Sequence, residues 1–121
     1  MKLNPDCIRD ILIQCENVIT FNNSYYYARG SSSSLAEKYS HDEIIYHIKQ
    51  AKDAGLISTG PFYDAGESVH ITDLTPAGHE FLANARTETV WNKLKSMGIQ
   101  SLPILIDMAR GLSSSYFKSL L

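Results

Sequence analysis

Apolar residues in the first part of the chain recur at intervals of three and four positions, which is the spacing of one face of an α-helix. An Asn-Pro-Asp sequence at residues 4–6 precedes them. Asparagine caps helices well, proline suits the first helical position, and aspartate complements the positive end of the helix dipole. We therefore predict a first helix from Pro5 to about Ile19. Its buried face is Ile8, Ile11, Leu12, Cys15 and Val18 or Ile19.

A second helix is predicted over residues 41–54. Ser40 and Glu43 have the Ser-x-x-Glu spacing in which each side chain bonds the other residue's backbone amide at a helix start. Apolar residues follow at helical spacing from Ile44 to Ala51. Gly55 then favours a stop, because glycine tolerates the left-handed conformation found just past a helix end.

Turn-forming residues and aromatic residues are mixed between these two helices, over residues 20–34. We expect a loop there with one or two short extended pieces. The run Tyr25, Tyr26 and Tyr27 has two interpretations. One or two of the rings pack in the core and one is exposed, or the three form an aromatic contact surface for a partner or a nucleic-acid base.

Two short extended runs, 56–59 and 69–74, follow the second helix. The loop 60–67 between them carries glycine at both ends and a proline, which predicts a hairpin with a long tip. Thr75 and Pro76 then have the cap and first-turn residues of another helix. Its apolar positions continue to about Met97, so one long helix is predicted.

The tail, residues 101–121, predicts a last helix that is apolar on more than one side. Too little polar surface remains for a helix lying free on the outside. The tail therefore either packs across the domain or buries itself in a partner, and Gly111 with the following serines leaves open a break into two pieces. We expect a domain over residues 1–98 and an added helix over 99–121 that packs on it or mediates dimerisation.

The composition is that of one ordinary globular domain of 121 residues, 44% hydrophobic and 20% charged. The formal net charge of −2 restricts any DNA binding to local basic patches, because phosphate contacts need cations. The chain has no apolar run near the roughly 18 residues of a membrane span, and its start lacks the apolar segment of a signal peptide. The expected compartment is the cytoplasm.

Several blocks of the chain form a recognisable set, namely Tyr39-Ser40, Tyr46-His47-Ile48, Ala54-Gly55-Leu56-Ile57, Leu74-Thr75, Gly78-His79-Glu80-Phe81-Leu82 and Thr89-Val90-Trp91-Asn92-Lys93. Together these blocks are similar to the bacterial and prophage family called domain of unknown function 2513. The resemblance extends to about Lys95, and the blocks 78–82 and 89–93 together are its most specific part.

The resemblance and the order of elements together predict an α+β fold, a small winged helix with an added C-terminal helix. Residues 44–57 resemble the recognition helix of bacterial winged-helix regulators and the start of the wing. Because winged helices bind DNA, RNA or protein, the fold alone does not choose a function.

The DNA-binding interpretation uses the helix over 41–54 in a major groove. This helix is a poor reader of bases, because it has no arginine and because Asp42 and Glu43 would face the phosphates. The candidate DNA contacts are Lys38, His41, Tyr46, Lys49, Gln50 and Lys52.

The protein-binding interpretation, which we favour, uses exposed aromatic and apolar residues and includes self-association as a homodimer. The tip of the hairpin lacks the arginine or lysine that would reach a minor groove, so it suits a protein better. The candidate partner contacts are Tyr25, Tyr26, Tyr27, Phe62, Tyr63, Leu105, Met108, Leu112 and Phe117.

Catalysis is not expected, since neither a nucleophile with its base nor a phosphate loop stands at useful spacing. No metal site, cofactor or small-molecule substrate is predicted, because the four histidines form no close ligand pair. Cys7 and Cys15 lie too far apart on one helix for a disulfide and are interpreted as buried thiols. We expect His47 and His79 to bond at helix surfaces and Trp91 to lie in the core.

Overall fold

The computed structural model describes residues 1–120, and this part of the chain forms six helices and one three-stranded sheet. The predicted α+β class is confirmed. In chain order the elements are α1 (Pro5–Val18), β1 (Tyr25–Ala28), α2 (Ser34–Lys38), α3 (His41–Asp53), β2 (Ile57–Thr59), β3 (Ser68–Leu74), α4 (Pro76–Ala85), α5 (Glu88–Ser96) and α6 (Leu102–Leu120).

The sheet is antiparallel, with β3 in the centre between β1 and β2. On one side Tyr27 pairs with Val69, and on the other Ile57 pairs with Leu74. An irregularity between Ser58 and Thr59 shifts the register of β2. The predicted hairpin is therefore present, and the segment read as a loop with short extended pieces supplies a third strand.

Three helices begin at the residues whose side chains predicted their start. Asn4 accepts the backbone amides of Asp6 and Cys7 at the start of α1. Ser40 accepts the amide of Glu43 at the start of α3, and Thr75 does the same for the third residue of α4. These caps satisfy amides that have no partner inside the helix, which is why short side chains with oxygen atoms place the boundaries.

The single long helix predicted after the hairpin was wrong, because the chain there forms two helices. α4 ends at Ala85, and Thr87 caps α5 by accepting the amide of Val90. Evenly spaced apolar residues concealed this break, since both helices turn apolar faces to one core. A shorter omission is α2, which Ser33 caps inside the predicted loop.

α6 runs without a break through Gly111 and packs on α4 and α5. Its Leu102, Leu105 and Ala109 belong to the same buried cluster as α1, α3 and the sheet. Packing on the domain, one of the two predicted alternatives, is thus observed. The division of the chain at residue 98 stays a prediction.

Gly78 fixes the position of α4 against the start of β2. A Cβ atom at this residue would collide with the backbone carbonyl oxygen of Leu56 and would lie 2.7 Å from the Leu74 side chain. Thr75 reinforces the same contact, because its amide donates to Leu56 and its hydroxyl donates to the carbonyl of Gly55. Only glycine allows the two backbones to approach this closely.

Candidate interaction surfaces

The outer side of α3 carries most of the candidate DNA contacts. Lys49 and Lys52 are exposed, whereas Tyr46 and Gln50 are partly buried. Lys38 belongs to α2, where its ammonium lies 3.5 Å from the carboxylate of Asp10 in α1. Five of the six candidates, including His41, therefore share one helix, and Lys38 pairs with another part of the molecule.

Phe62 from the β2–β3 loop lies beneath the two lysines of α3. The ammonium nitrogens of Lys49 and Lys52 are 5.3 Å and 5.5 Å from the centre of its ring. This is the distance of a cation–π contact, which stabilises the positive charges over the ring face. The Lys49 nitrogen also lies 3.4 Å from the position of a Cβ on Gly66. The helix and the loop thus form one continuous surface.

Acidic residues offset the positive charge on this surface. Asp42, Asp53 and Asp64 are exposed on α3 and the loop. Glu67 accepts two hydrogen bonds from Arg29, and that guanidinium lowers the pKa of the carboxyl group. The helix and the loop therefore carry exposed carboxylates as well as lysines, and carboxylates repel phosphate.

His41 contacts a buried residue, so its side chain is not free to contact DNA bases. Its Nδ1 lies 2.8 Å from the hydroxyl of Tyr27, and the two rings stack with centroids 5.6 Å apart. Its Nε2 is buried and has no hydrogen-bond partner within residues 1–120. The side chain thus joins the start of α3 to β1.

The three tyrosines alternate between the two faces of β1. Tyr25 and Tyr27 are only 7% and 2% exposed, while Tyr26 is 49% exposed. Successive strand residues point to opposite sides, so a run of three must divide in this way. The assignment of Tyr25 and Tyr27 as partner contacts was wrong, and the packed interpretation is the one observed. Tyr26 keeps its place on the surface, beside the ring of His70.

The tip of the β2–β3 loop presents Tyr63, which is exposed. Its backbone pairs with Ser68, whose hydroxyl donates to the carboxylate of Asp64 at 2.9 Å. Asp64 and Ala65 both have positive φ angles, of 54° and 59°. These bonds hold the tip in a defined turn, so Tyr63 is presented by an ordered backbone.

α6 has a second apolar face besides the one that it buries. We call Ile104, Met108, Gly111 and Ser115 the outer stripe, since their spacing of four, three and four residues places them on one side of the helix. Ile104 is 55% exposed and Met108 38% exposed.

The other predicted contacts on α6 divide between surface and interior. Phe117 is exposed, as is Leu120 near the end of the helix. Leu112 is half-buried and, with Tyr116 and Ser115, lines a groove of about 260 Å³ against α5. Leu105 was wrongly assigned as a partner contact, because it is fully buried against the domain. The sequence interpretation also missed Ile104, because its spacing from Met108 shows that the two residues share a face but not that this face is exposed.

His47 is a buried histidine whose two ring nitrogens both have partners. Its Nε2 accepts the backbone amide of Asn4 at 2.8 Å, and its Nδ1 lies 2.7 Å from the carbonyl oxygen of Glu43, to which it donates. The expectation that His47 forms hydrogen bonds is confirmed. The same expectation was wrong for His79, which is exposed and makes no side-chain hydrogen bond within the described residues.

Trp91 joins α5 to α1 from within the core. Its indole nitrogen donates to the carboxylate of Asp6 at 2.8 Å, and its ring meets Phe81 edge-on. The guanidinium carbon of Arg9 lies over the Trp91 ring, 5.0 Å from the ring centre. The predicted core position is confirmed. Like Gly78 and His47, Trp91 belongs to a block that carries the family resemblance, and all three have structural roles.

Cys7 and Cys15 are both free and buried in α1, as predicted. Burial raises the pKa of the Cys7 thiol well above its usual range, and Glu43 adds to this effect. Burial alone raises the pKa of the Cys15 thiol to about 12. Neither sulfur is activated as a nucleophile.

Among residues 1–120, no three His, Cys, Asp or Glu side chains converge as ligands for a metal ion. Over the same residues, none of the helices combines the length and the apolar character that crossing a membrane requires.

Comparison with known proteins agrees with the resemblance of the sequence blocks. The chain matches the family described as hypothetical protein DUF2513 over residues 2–101, which include every element from α1 to α5. It is also similar to a protein of Haemophilus influenzae described as uncharacterized, with 32% identity over 124 residues that cover 100% of this chain and 99% of the relative. No solved structure matches the chain. The match over most of its length shows that this chain belongs to the family described as hypothetical protein DUF2513.

Proposed function

We propose that this chain is a non-catalytic winged-helix interaction or regulatory protein, and that it acts by binding a protein partner, including a second copy of itself. The order helix, strand, helix, helix, strand, strand supports the winged-helix assignment. In that arrangement α3 takes the position of the recognition helix and the β2–β3 loop that of the wing. α6 is the added element, and it is the main contact surface.

The observation that carries this proposal is the set of exposed large apolar side chains on α6. Ile104, Met108, Phe117 and Leu120 all lie on this one helix. Burying a fully exposed side chain of this size contributes about 1.5 to 3 kcal/mol, so each of these residues would add to the affinity of a contact between proteins. The outer side of α3, in contrast, offers two lysines that rest on Phe62 among carboxylates.

Charge substitution on α6 tests the proposal better than deletion of the helix, because Leu102 and Leu105 belong to the core. We expect Ile104→Glu and Met108→Glu each to reduce the mass of the protein in solution toward that of a monomer, since both residues are exposed on the same side of α6. The matched control is Phe21→Glu, which removes a fully exposed aromatic residue from the loop between α1 and β1.

Light scattering over a range of protein concentrations is the measurement, with circular dichroism to check the fold. If the unaltered protein stays monomeric at every concentration, self-association fails as its mode of action. An equal loss of mass in all three variants would assign the contact to general surface hydrophobicity and not to α6.

A second candidate function is sequence-specific DNA binding by α3. It is favoured by the continuous surface of α3 and the β2–β3 loop, on which Lys49 reaches from the helix to Gly66. We expect Lys49→Glu to weaken binding and the affinity to fall as salt rises, because phosphate contacts release counterions. Lys93→Glu, on α5 and exposed, is the charge-matched control. A gel-shift series that shows no retention at low salt would eliminate this function.

A further inference from the structure

We infer that the outer stripe of α6 binds the outer stripe of a second copy of this chain, with the two helices antiparallel and crossing at Gly111. This inference rests on the proposed function, since it names the partner and the geometry of the contact that α6 makes. Three independent features of α6 support it: its glycine, the sizes of its exposed side chains and its flanking charges.

Gly111 has no role within the described part of its own chain. The position of a Cβ atom on it has no neighbour within 4 Å among these residues, and the residue lies in the middle of a 19-residue helix. Glycine in a helix interior costs about 1 kcal/mol relative to alanine. Gly78, the glycine of α4, is explained by its contact with Leu56, but Gly111 is not. A second helix crossing at this residue accounts for it, because glycine lets two helix backbones approach closely.

The side chains of the outer stripe are large at its N-terminal end and small at its C-terminal end. Ile104 and Met108 occupy its first two turns, and Ser115 and Ser119 continue it after Gly111. When two such helices run antiparallel about Gly111, Met108 of each copy meets Ser115 of the other, and Ile104 meets Ser119. Large residues then lie against small ones along the whole contact, which is the complementarity that close packing needs.

Two opposite charges flank the outer stripe on the side away from the buried face. Asp107 and Lys118 are both exposed and stand eleven residues apart, which is three helical turns. In an antiparallel pair related by a twofold axis, the same flanks of both helices lie side by side. Asp107 of one copy is then about 4.5 Å along the axis from Lys118 of the other, within reach of a lysine side chain. The symmetry forms this pair twice.

A parallel pair does not bring these charges together. Its twofold axis places the two flanks on opposite sides of the contact, so neither charge gains a partner. Within one copy the two residues are separated by roughly 16 Å along the helix and cannot pair. The nearest cation to Asp107 in its own chain is Arg110, which also binds Glu80 at 2.7 Å. The charge pattern therefore selects the antiparallel register.

A bulky residue at Gly111 tests the crossing point. We expect Gly111→Arg to raise the dissociation constant for self-association at least roughly tenfold, because the helices can no longer approach. Ala83→Arg is the matched control, since residue 83 is a small exposed residue of α4 and belongs neither to the outer stripe nor to its charged flank. Sedimentation velocity measures both, and circular dichroism verifies that each variant is folded.

Charge reversal tests the register. Asp107→Lys and Lys118→Asp should each weaken self-association by roughly fivefold, and the double variant should restore it. Restoration is specific to the antiparallel pair, because the two sites are too distant for rescue within one chain.

The outcomes separate this inference from the proposed function. If the unaltered protein associates but Gly111→Arg matches Ala83→Arg, the antiparallel contact is overturned while self-association stands. Failure of the double reversal to restore association overturns the register in the same way. A protein that stays monomeric at millimolar concentration overturns the inference and the self-association on which it rests.

Discussion

At the scale of single residues, three positions in the blocks that carry the family resemblance are explained by packing. Gly78 admits the backbone of Leu56, His47 bonds the amide that precedes α1, and Trp91 bonds Asp6. Each of these residues contacts a partner distant in sequence, and changing it would leave a clash or an unpaired buried group. At these three positions the resemblance reports the fold, whereas Tyr46, in one of the same blocks, lies on the candidate DNA surface.

Gly78→Ala should destabilise the protein by about 3 kcal/mol, because the added methyl group meets a backbone carbonyl that cannot move alone. Gly111→Ala is the matched control in a second helix. Its methyl group enters open space, and we expect a gain of about 1 kcal/mol from helix propensity. Urea unfolding at low protein concentration measures both. Equal effects at the two glycines would contradict the structure around Gly78.

At the scale of elements, capping side chains decide where helices begin and apolar spacing decides which face is buried. The division of one expected helix into α4 and α5 shows that continuous apolar spacing can conceal a capping residue. Thr87 and Glu88 are a cap and a first-turn acid, but the apolar pattern continues across them. The second of these helices, α5, forms one side of the groove against α6.

Thr87→Ala should lower the free energy of unfolding by about 1 kcal/mol, since the amide of Val90 loses its acceptor. Thr89→Ala, within the same helix and exposed, has no cap to lose and should change stability by less than about 0.5 kcal/mol. Thermal and urea denaturation of the two variants can be compared directly. A larger loss at residue 89 than at residue 87 would argue against the observed start of α5.

At the scale of the whole molecule, one core joins α1, α3, the sheet and the last three helices. The buried cysteines of α1 lie at its centre, where water and reagents reach them only when the structure opens. The surface is divided between a charged side at α3 and an apolar side at α6. This separation is why the two proposed activities can be tested by different substitutions.

Both thiols should resist a disulfide reagent at pH 8 while the protein is folded. Burial raises the pKa of Cys7 and raises that of Cys15 to about 12, so the reactive thiolate is scarce as well as shielded. In urea both residues become ordinary thiols and should react rapidly. Absorbance of the released reagent follows the reaction. Rapid modification of one thiol per chain before unfolding would show that α1 is less buried than described.

The sequence by itself determined the local features of this protein: three of the helix starts, the hairpin, the buried face of α1 and the α+β class. These follow from neighbours in the chain, because a cap bonds the next few amides and an amphipathic face repeats every three or four residues. Family membership also followed, from blocks of residues recognised as a set.

Only the tertiary structure decided which apolar residues of α6 and β1 are available to a partner. Leu105 and Ile104 are neighbours of similar character, yet one is buried and the other exposed. The same holds for Tyr25 and Tyr26. Exposure depends on which elements pack against a face, and those elements come from distant parts of the chain. Tertiary packing also places two lysines over Phe62 and leaves the space beside Gly111 empty.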